Sequence, residues 1–195
     1  MTRFTTGRDS SLATKTLPSH VALLRGINVG GKNKLPMKDL VAIFVAAGCV
    51  DVQTYIQSGN VVFSAPTAVA KRLPSNVAAA IRDLAGYRIP VVMRTVAELE
   101  SVSQNNPFLK TGREPDTLHV AFLLDLPKPS HVAAIDLKRS PPDELVVRGR
   151  DIYLRLPNGV APSKLTTAYF DATLGTTSTL RNWRTVLKLL EVAGR

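Results

Sequence analysis

Apolar and polar residues alternate over residues 20–26, the period of a half-buried strand, and then a different rhythm takes over. From Met37 the apolar side chains fall at Leu40, Val41, Phe44 and Val45, one helical stripe that stops at Gly48. Pro36 suits the first turn of that helix, where its missing N–H removes no bond. Period-two runs return over 52–57 and 60–64 around Ser58-Gly59, predicting two strands and a tight turn. Leu73, Val77, Ile81 and Leu84 then share one helical face, with Pro74 either starting or kinking the helix, and 89–94 reads as a strand. The order βαββαβ predicts a ferredoxin-like unit. Thr95-Val-Ala-Glu98 has capping-box spacing and opens a short linking helix that ends before Asn106.

The second half echoes the first. His119-Val-Ala-Phe-Leu-Leu124 repeats the pattern of His20-Val-Ala-Leu-Leu24. A helix over 130–137, strands over 144–147 and 151–156, and a helix over 162–174 follow. The echo is then expected to break, because 180–192 reads as a helix with Leu180, Trp183, Leu187 and Leu190 on one stripe. The expected fold is α+β: two ferredoxin-like (βαββαβ-type) halves related by internal duplication, plus a C-terminal helix. The expected organisation is a flexible tail over 1–19, a first half over 20–94, a linking helix and loop over 95–116, and a second half over 117–195.

Composition narrows the function classes. With 195 residues, 45% of them hydrophobic and 21% charged, the chain can bury a core and is not a disordered one. A single cysteine, Cys49, excludes an intramolecular disulfide and a cysteine-only metal site, so a reducing cytoplasm is the expected location. No apolar run reaches the roughly 18–20 residues needed to cross a bilayer, and no membrane partner is expected. Residues 1–19 hold eight Ser/Thr and three basic side chains without an apolar core, which excludes a secretory signal and leaves a transit peptide as the alternative to a plain extension. The net charge of +10 is lopsided: residues 1–97 carry 12 Lys/Arg against 4 Asp/Glu, the remainder 13 against 11. Such a basic field attracts phosphate-bearing ligands and polyanions.

The candidate chemistry centres on the glycine-rich turn Arg25-Gly26-Ile27-Asn28-Val29-Gly30-Gly31-Lys32-Asn33-Lys34 between the first strand and helix. It matches neither the phosphate-loop nor the dinucleotide-binding spacing. It is expected to hold a phosphate or carboxylate on backbone amides from Val29 to Lys32 near a helix start, with lysine charge added; the alternative is a turn that needs glycine for positive φ. Tyr55, Gln57, Ser58 and Asn60 could stand beside it as polar contacts, or serve their own turn. Arg181 and Asn182 fall off the apolar stripe of the last helix, whereas Trp183 falls on it and is expected in the core. Ser163 is expected as an N-cap, with Lys164 beside it. The candidate ligand-binding residues are thus Arg25, Asn28, Gly30, Gly31, Lys32, Asn33, Tyr55, Ser58, Asn60, Lys164, Arg181 and Asn182. No catalytic residue, metal ligand or cofactor motif stands out: Cys49 is expected buried, and Tyr55, His20 and His119 are the acid–base candidates.

Three stretches carry a family resemblance: Ala22-Leu-Leu-Arg-Gly-Ile-Asn-Val-Gly-Gly-Lys32, Thr54-Tyr-Ile-Gln-Ser-Gly-Asn-Val-Val-Phe63 and Thr179-Leu-Arg-Asn-Trp-Arg-Thr-Val186. Together with Asn106-Pro-Phe108 and Ser163-Lys164, they resemble the bacterial domain of unknown function 1697 family. That resemblance implies an α+β fold of related halves and implies no reaction. The functional expectation is a binding module for a phosphate-bearing ligand, a nucleotide or nucleic acid. Recognition of RNA by aromatic stacking is not expected, since the first and third strands supply one aromatic between them. An enzyme acting on a small anionic substrate and a structural or assembly protein are the alternatives.

Overall fold

The computed structural model describes residues 17–109 and 114–194. The first half runs β1 (Ser19–Leu24), α1 (Met37–Ala46), β2 (Val50–Tyr55), β3 (Asn60–Ser64), α2 (Thr67–Ala85), β4 (Val91–Thr95) and α3 (Val96–Gln104). The second runs β5 (Leu118–Leu123), α4 (Pro129–Ala133), β6 (Glu144–Arg148), β7 (Asp151–Arg155), α5 (Thr167–Leu174), β8 (Ser178–Asn182) and α6 (Trp183–Ala193). Two four-stranded antiparallel sheets result, ordered β2-β3-β1-β4 and β6-β7-β5-β8.

Three apolar cores alternate with these sheets. Ala22 and Leu24 of β1 face Leu40 and Phe44 of α1 and Leu73, Val77 and Ile81 of α2. The opposite face, with Val21 and Leu23, meets Leu99 and Val102 of α3, Trp183, Val186 and Leu189 of α6, and Val120 and Phe122 of the other sheet. Ala121 and Leu123 of β5 pack on the far side against Phe170 and Leu174 of α5. Both central strands are therefore covered on two faces, which is why each carries a near-continuous apolar run. The central core is shared, so the halves pack as one body.

Several expectations shift. Residues 1–16 of the expected tail and 110–113 of the expected link lie outside the described residues, and β1 already begins at Ser19. Pro74 sits inside α2, which begins at Thr67 after Pro66, and Leu84 of the expected apolar face is 59% exposed. Helix α4 ends at Ala133, and α5 starts at Thr167 with Thr166, not Ser163, as its N-cap; the Ser163 hydroxyl instead accepts the Leu165 N–H at 3.0 Å. Residues 180–182 are strand rather than helix. Helix α6 begins at Trp183, so its buried stripe is Trp183, Val186 and Leu189, while Leu187 is 45% exposed. With that correction the echo does not break: both halves have the order βαββαβα.

Register pairs residues of the two sheets. Val21 stands opposite Arg94 and Leu23 opposite Asn60; Val120 stands opposite Arg181 and Phe122 opposite Asp151. Thr95 ends β4 and caps α3, and Asn182 ends β8 and caps α6. Arg94 thus corresponds to Arg181, Asp151 to Asn60, and Glu98, three residues after its cap, to Thr185.

Candidate functional site

The glycine-rich segment folds as a small antiparallel excursion. The Asn28 N–H donates to the Asn33 carbonyl and the Lys32 N–H to the Val29 carbonyl, both at 3.1 Å. Gly30 and Gly31 form the tip in left-handed conformation, with φ of 59° and 74°. Asn28 and Asn33 also have positive φ, which asparagine tolerates. The Asn28 amide donates to the carbonyls of Leu35 (2.8 Å) and Gln57 (2.9 Å) and accepts the Leu35 N–H (2.8 Å); Asn33 donates to the Gly26 carbonyl (2.9 Å). The two asparagines therefore brace the loop and tie it to the β2–β3 turn. Gly30, Gly31 and Lys32 are solvent-exposed at the tip, and α1 begins only at Met37, so the Val29–Lys32 amides do not form a helix terminus.

Below the loop the β2–β3 turn approaches the backbone closely. A Cβ on Gly59 would lie 2.7 Å from Leu24 Cβ, and its φ is 77°, so only glycine fits. Asn60 is fully buried; its amide donates to the Tyr55 carbonyl (3.2 Å) and the Ser58 hydroxyl (3.0 Å). Its carbonyl oxygen accepts Arg181 Nε at 2.5 Å.

Arg181 reaches across from β8. It donates to Thr179 Oγ1, to the Leu180 and Leu24 carbonyls at 2.7–2.8 Å, and to the Ser58 and Gly59 carbonyls at 3.3 and 3.4 Å. All these acceptors are neutral. Burial alone acts on its guanidinium and pulls it down to about 10. Its N–H groups are taken up, so it offers its surroundings a charge rather than a free donor.

Arg94 makes the corresponding reach in the other direction, with one difference. It donates to the Met93 (2.8 Å), Leu123 (3.1 Å) and Arg150 (2.8 Å) carbonyls and to the Asp151 carboxylate (2.9 Å). Burial lowers the Arg94 guanidinium and raises the Asp151 carboxyl, and their mutual attraction opposes both shifts. Glu98 accepts the Thr95 N–H (2.7 Å), completes the capping box and pairs with Arg150 at 2.5 Å. Burial would raise the Glu98 carboxyl, but these bonds and charges hold it below its ordinary value.

A cleft of about 380 Å³ opens beside Arg181, lined from the first half by Arg25, Gly26, Val29, Ile56 and Ser58 and from the second by Thr167, Thr179, Asn182 and Thr185. Arg25 pairs with Asp171 of α5, whose other oxygen accepts the Ser178 N–H and hydroxyl. The fold thus brings together Arg25, Ser58, Asn182 and Arg181 of the predicted set, with Asn60 directly beneath. Gly30, Gly31, Lys32 and Asn33 belong to the loop above and Tyr55 to the strand end. Lys164 lies apart, its N–H bonded to Ser140 and its carbonyl to Arg139. Thr185, Thr179 and Asp171 were not singled out in the sequence, nor was the Arg94–Asp151 pair; the spacing Asn182-x-x-Thr185, parallel to Thr95-x-x-Glu98, was the available signal.

The acid–base candidates are placed elsewhere. Burial lowers His20 and His119, which lie at matching positions in β1 and β5, and pushes the Cys49 thiol up to about 11, which makes it inert at neutral pH. Among the described residues no cluster of His, Cys, Asp and Glu could hold a metal ion, and no helix is long and apolar enough to cross a membrane.

Fold and cleft define an α+β protein with, among the described residues, two four-stranded antiparallel sheets and six α-helices, and an arginine-bearing cleft between its halves. The chain belongs to the bacterial family described as protein of unknown function (DUF1697), whose model matches residues 17–153. The conserved bacterial protein SP0830 from Streptococcus pneumoniae is similar in structure, with a TM-score of 0.66 and 22% identity over 92% of this chain and 99% of that one. No curated protein matches the chain.

Proposed function

We propose that this protein is a cytoplasmic binding module for a phosphate-bearing ligand, a nucleotide or nucleic acid, taken up beneath the glycine-rich loop. The observation that carries this reading is Arg181: a buried guanidinium held by neutral oxygens beside an open cleft, with Arg25 on the cleft's other wall. A buried cation without a carboxylate raises the local potential, and an incoming anion gains from it more than it would at a solvated lysine. The basic excess of residues 1–97 supports the same reading by steering anions toward that half. We further read residues 20–94 and 117–195 as ferredoxin-like units, joined over 95–116 and descended from one duplicated ancestor. The identical strand orders, and the paired placements of Arg94 with Arg181 and His20 with His119, support this.

A thermal-shift series with inorganic phosphate, nucleoside monophosphates and short RNA tests the function. A ligand at 100 times its Kd adds about 2.7 kcal/mol to stability. A rise in Tm that Arg25→Gln abolishes and Lys32→Glu only weakens is the expected result. A wild-type protein indifferent to every phosphate compound refutes the reading.

A further inference from the structure

Two of the clefts between the halves are built on one plan and finished differently. On one side Arg94, Glu98, Arg148, Arg150 and Asp151 face each other, and both carboxylates are matched: Asp151 by Arg94, Glu98 by Arg150. The remaining cation, Arg148, is exposed and bonds the Asn105 carbonyl. On the other side Arg25 is matched by Asp171 of α5, and the remaining cation is Arg181, which is buried. At the two positions where the first cleft carries carboxylates, the second cleft has Asn60, buried beneath it, and Thr185 in its lining. The first cleft thus shows what its plan holds in place: the Glu98 carboxylate, on the Thr95 N–H at 2.7 Å, the Thr95 hydroxyl at 3.1 Å and Arg150 at 2.5 Å, is an anion supplied by the chain itself.

We propose that the cleft at Arg25, Arg181 and Thr185 receives the terminal phosphate of a small phosphomonoester, seated at the start of α6 where the other half seats the Glu98 carboxylate. The inference rests on the phosphate-binding reading and narrows it. Arg25, paired with Asp171, and the buried Arg181 come from different halves to one hollow rather than running along a track, which suits one terminal group better than a polymer whose successive phosphates need successive cations. At about 380 Å³ the cleft is the size of a small-ligand site. Val29 and Ile56, 60% and 52% exposed at its rim, offer an apolar lip to the ligand's organic body.

Restoring the missing carboxylate tests this. Isothermal titrations with inorganic phosphate, AMP and a 5′-hydroxyl RNA dodecamer are run on wild type, Thr185→Glu and, as a control in the first cleft, Glu98→Gln. The expected result is one site for phosphate and for AMP, weakened at least tenfold by Thr185→Glu and unchanged by Glu98→Gln. Without ligand, Thr185→Glu should also melt higher than Thr185→Gln, which has the same shape and no charge. Wild-type affinity retained in Thr185→Glu, or a Thr185→Glu protein that melts no higher than Thr185→Gln, overturns the inference. Tighter binding of the RNA than of AMP overturns it too, while leaving phosphate binding itself standing. Absence of any phosphate response in wild type refutes the broader reading instead.

Discussion

The contrast between Arg94 and Arg181 makes a quantitative prediction at Asp151. Replacing Asp151 by Asn leaves an oxygen in place to accept Arg94 Nη2, now 2.9 Å away, and gives Arg94 the all-neutral shell that Arg181 already has. Two unit charges about 4 Å apart attract by roughly 4 kcal/mol at an effective dielectric near 20. Against that loss stands the cost of keeping a carboxylate in a site where its side chain is only 19% exposed, an effective penalty of several kcal/mol in proteins. The two terms nearly offset, and Asp151→Asn should cost about 1–2 kcal/mol. Asp151→Leu removes the acceptor as well and strands the cation, which should cost about 3–5 kcal/mol. Urea unfolding monitored by Trp183 fluorescence measures both, with equal m-values as the condition for comparison. Equal losses in the two variants would refute the reasoning, because they would show that charge, not the hydrogen bond, keeps Arg94 in place.

Two further outcomes follow from the geometry. Gly59→Ala forces a Cβ to within 2.7 Å of Leu24 Cβ at a φ of 77°, and strain plus overpacking should cost about 2–4 kcal/mol; a loss under about 1 kcal/mol by urea titration would show that the turn relaxes freely. Burial lowers both His20 and His119, so the folded state takes up protons less readily than the unfolded chain and stability is fully present above the unfolded pKa near 6.5. It is lost as pH falls through that value toward the lower folded ones, by no more than about 1.4 kcal/mol per pH unit for each histidine. Melting between pH 7.5 and 5 should show the decline, and His20→Gln with His119→Gln should flatten it; an unchanged slope in the double variant excludes the histidines as its source. Glu98, held below its ordinary value, acts in a separate, more acidic window.

Much of the fold was legible because its determinants are local. Leu40 and Phe44 at helical spacing, Thr95 with Glu98 at capping distance, and the apolar runs of β1 and β5 each report on a few neighbouring residues. The site was legible in part. Arg181 stood out as a polar residue off an apolar stripe, and Arg25 and Asn60 through their places in the glycine-rich turn and the turn after Tyr55; the fold gathers all three. What their neighbours do was not legible. Whether Asn28 meets a ligand or the Gln57 carbonyl depends on where the β2–β3 turn lies, which is a property of sheet order and not of the loop's composition.

The misreading of residues 180–182 has the same physical origin as the open cleft. In both halves a strand passes directly into a helix, one residue serving as last strand residue and N-cap. In the first half the junction announces itself, because Glu98 closes the capping box on Thr95. In the second, Asn182 caps α6 through the Thr185 N–H at 2.8 Å, but Thr185 has no carboxylate to return. The apolar spacing of Leu180 and Trp183 then mimics a continuing helix. The residue whose charge would have marked the boundary is the one whose absence leaves the start of α6, and the buried Arg181 beside it, without a paired carboxylate among the described residues.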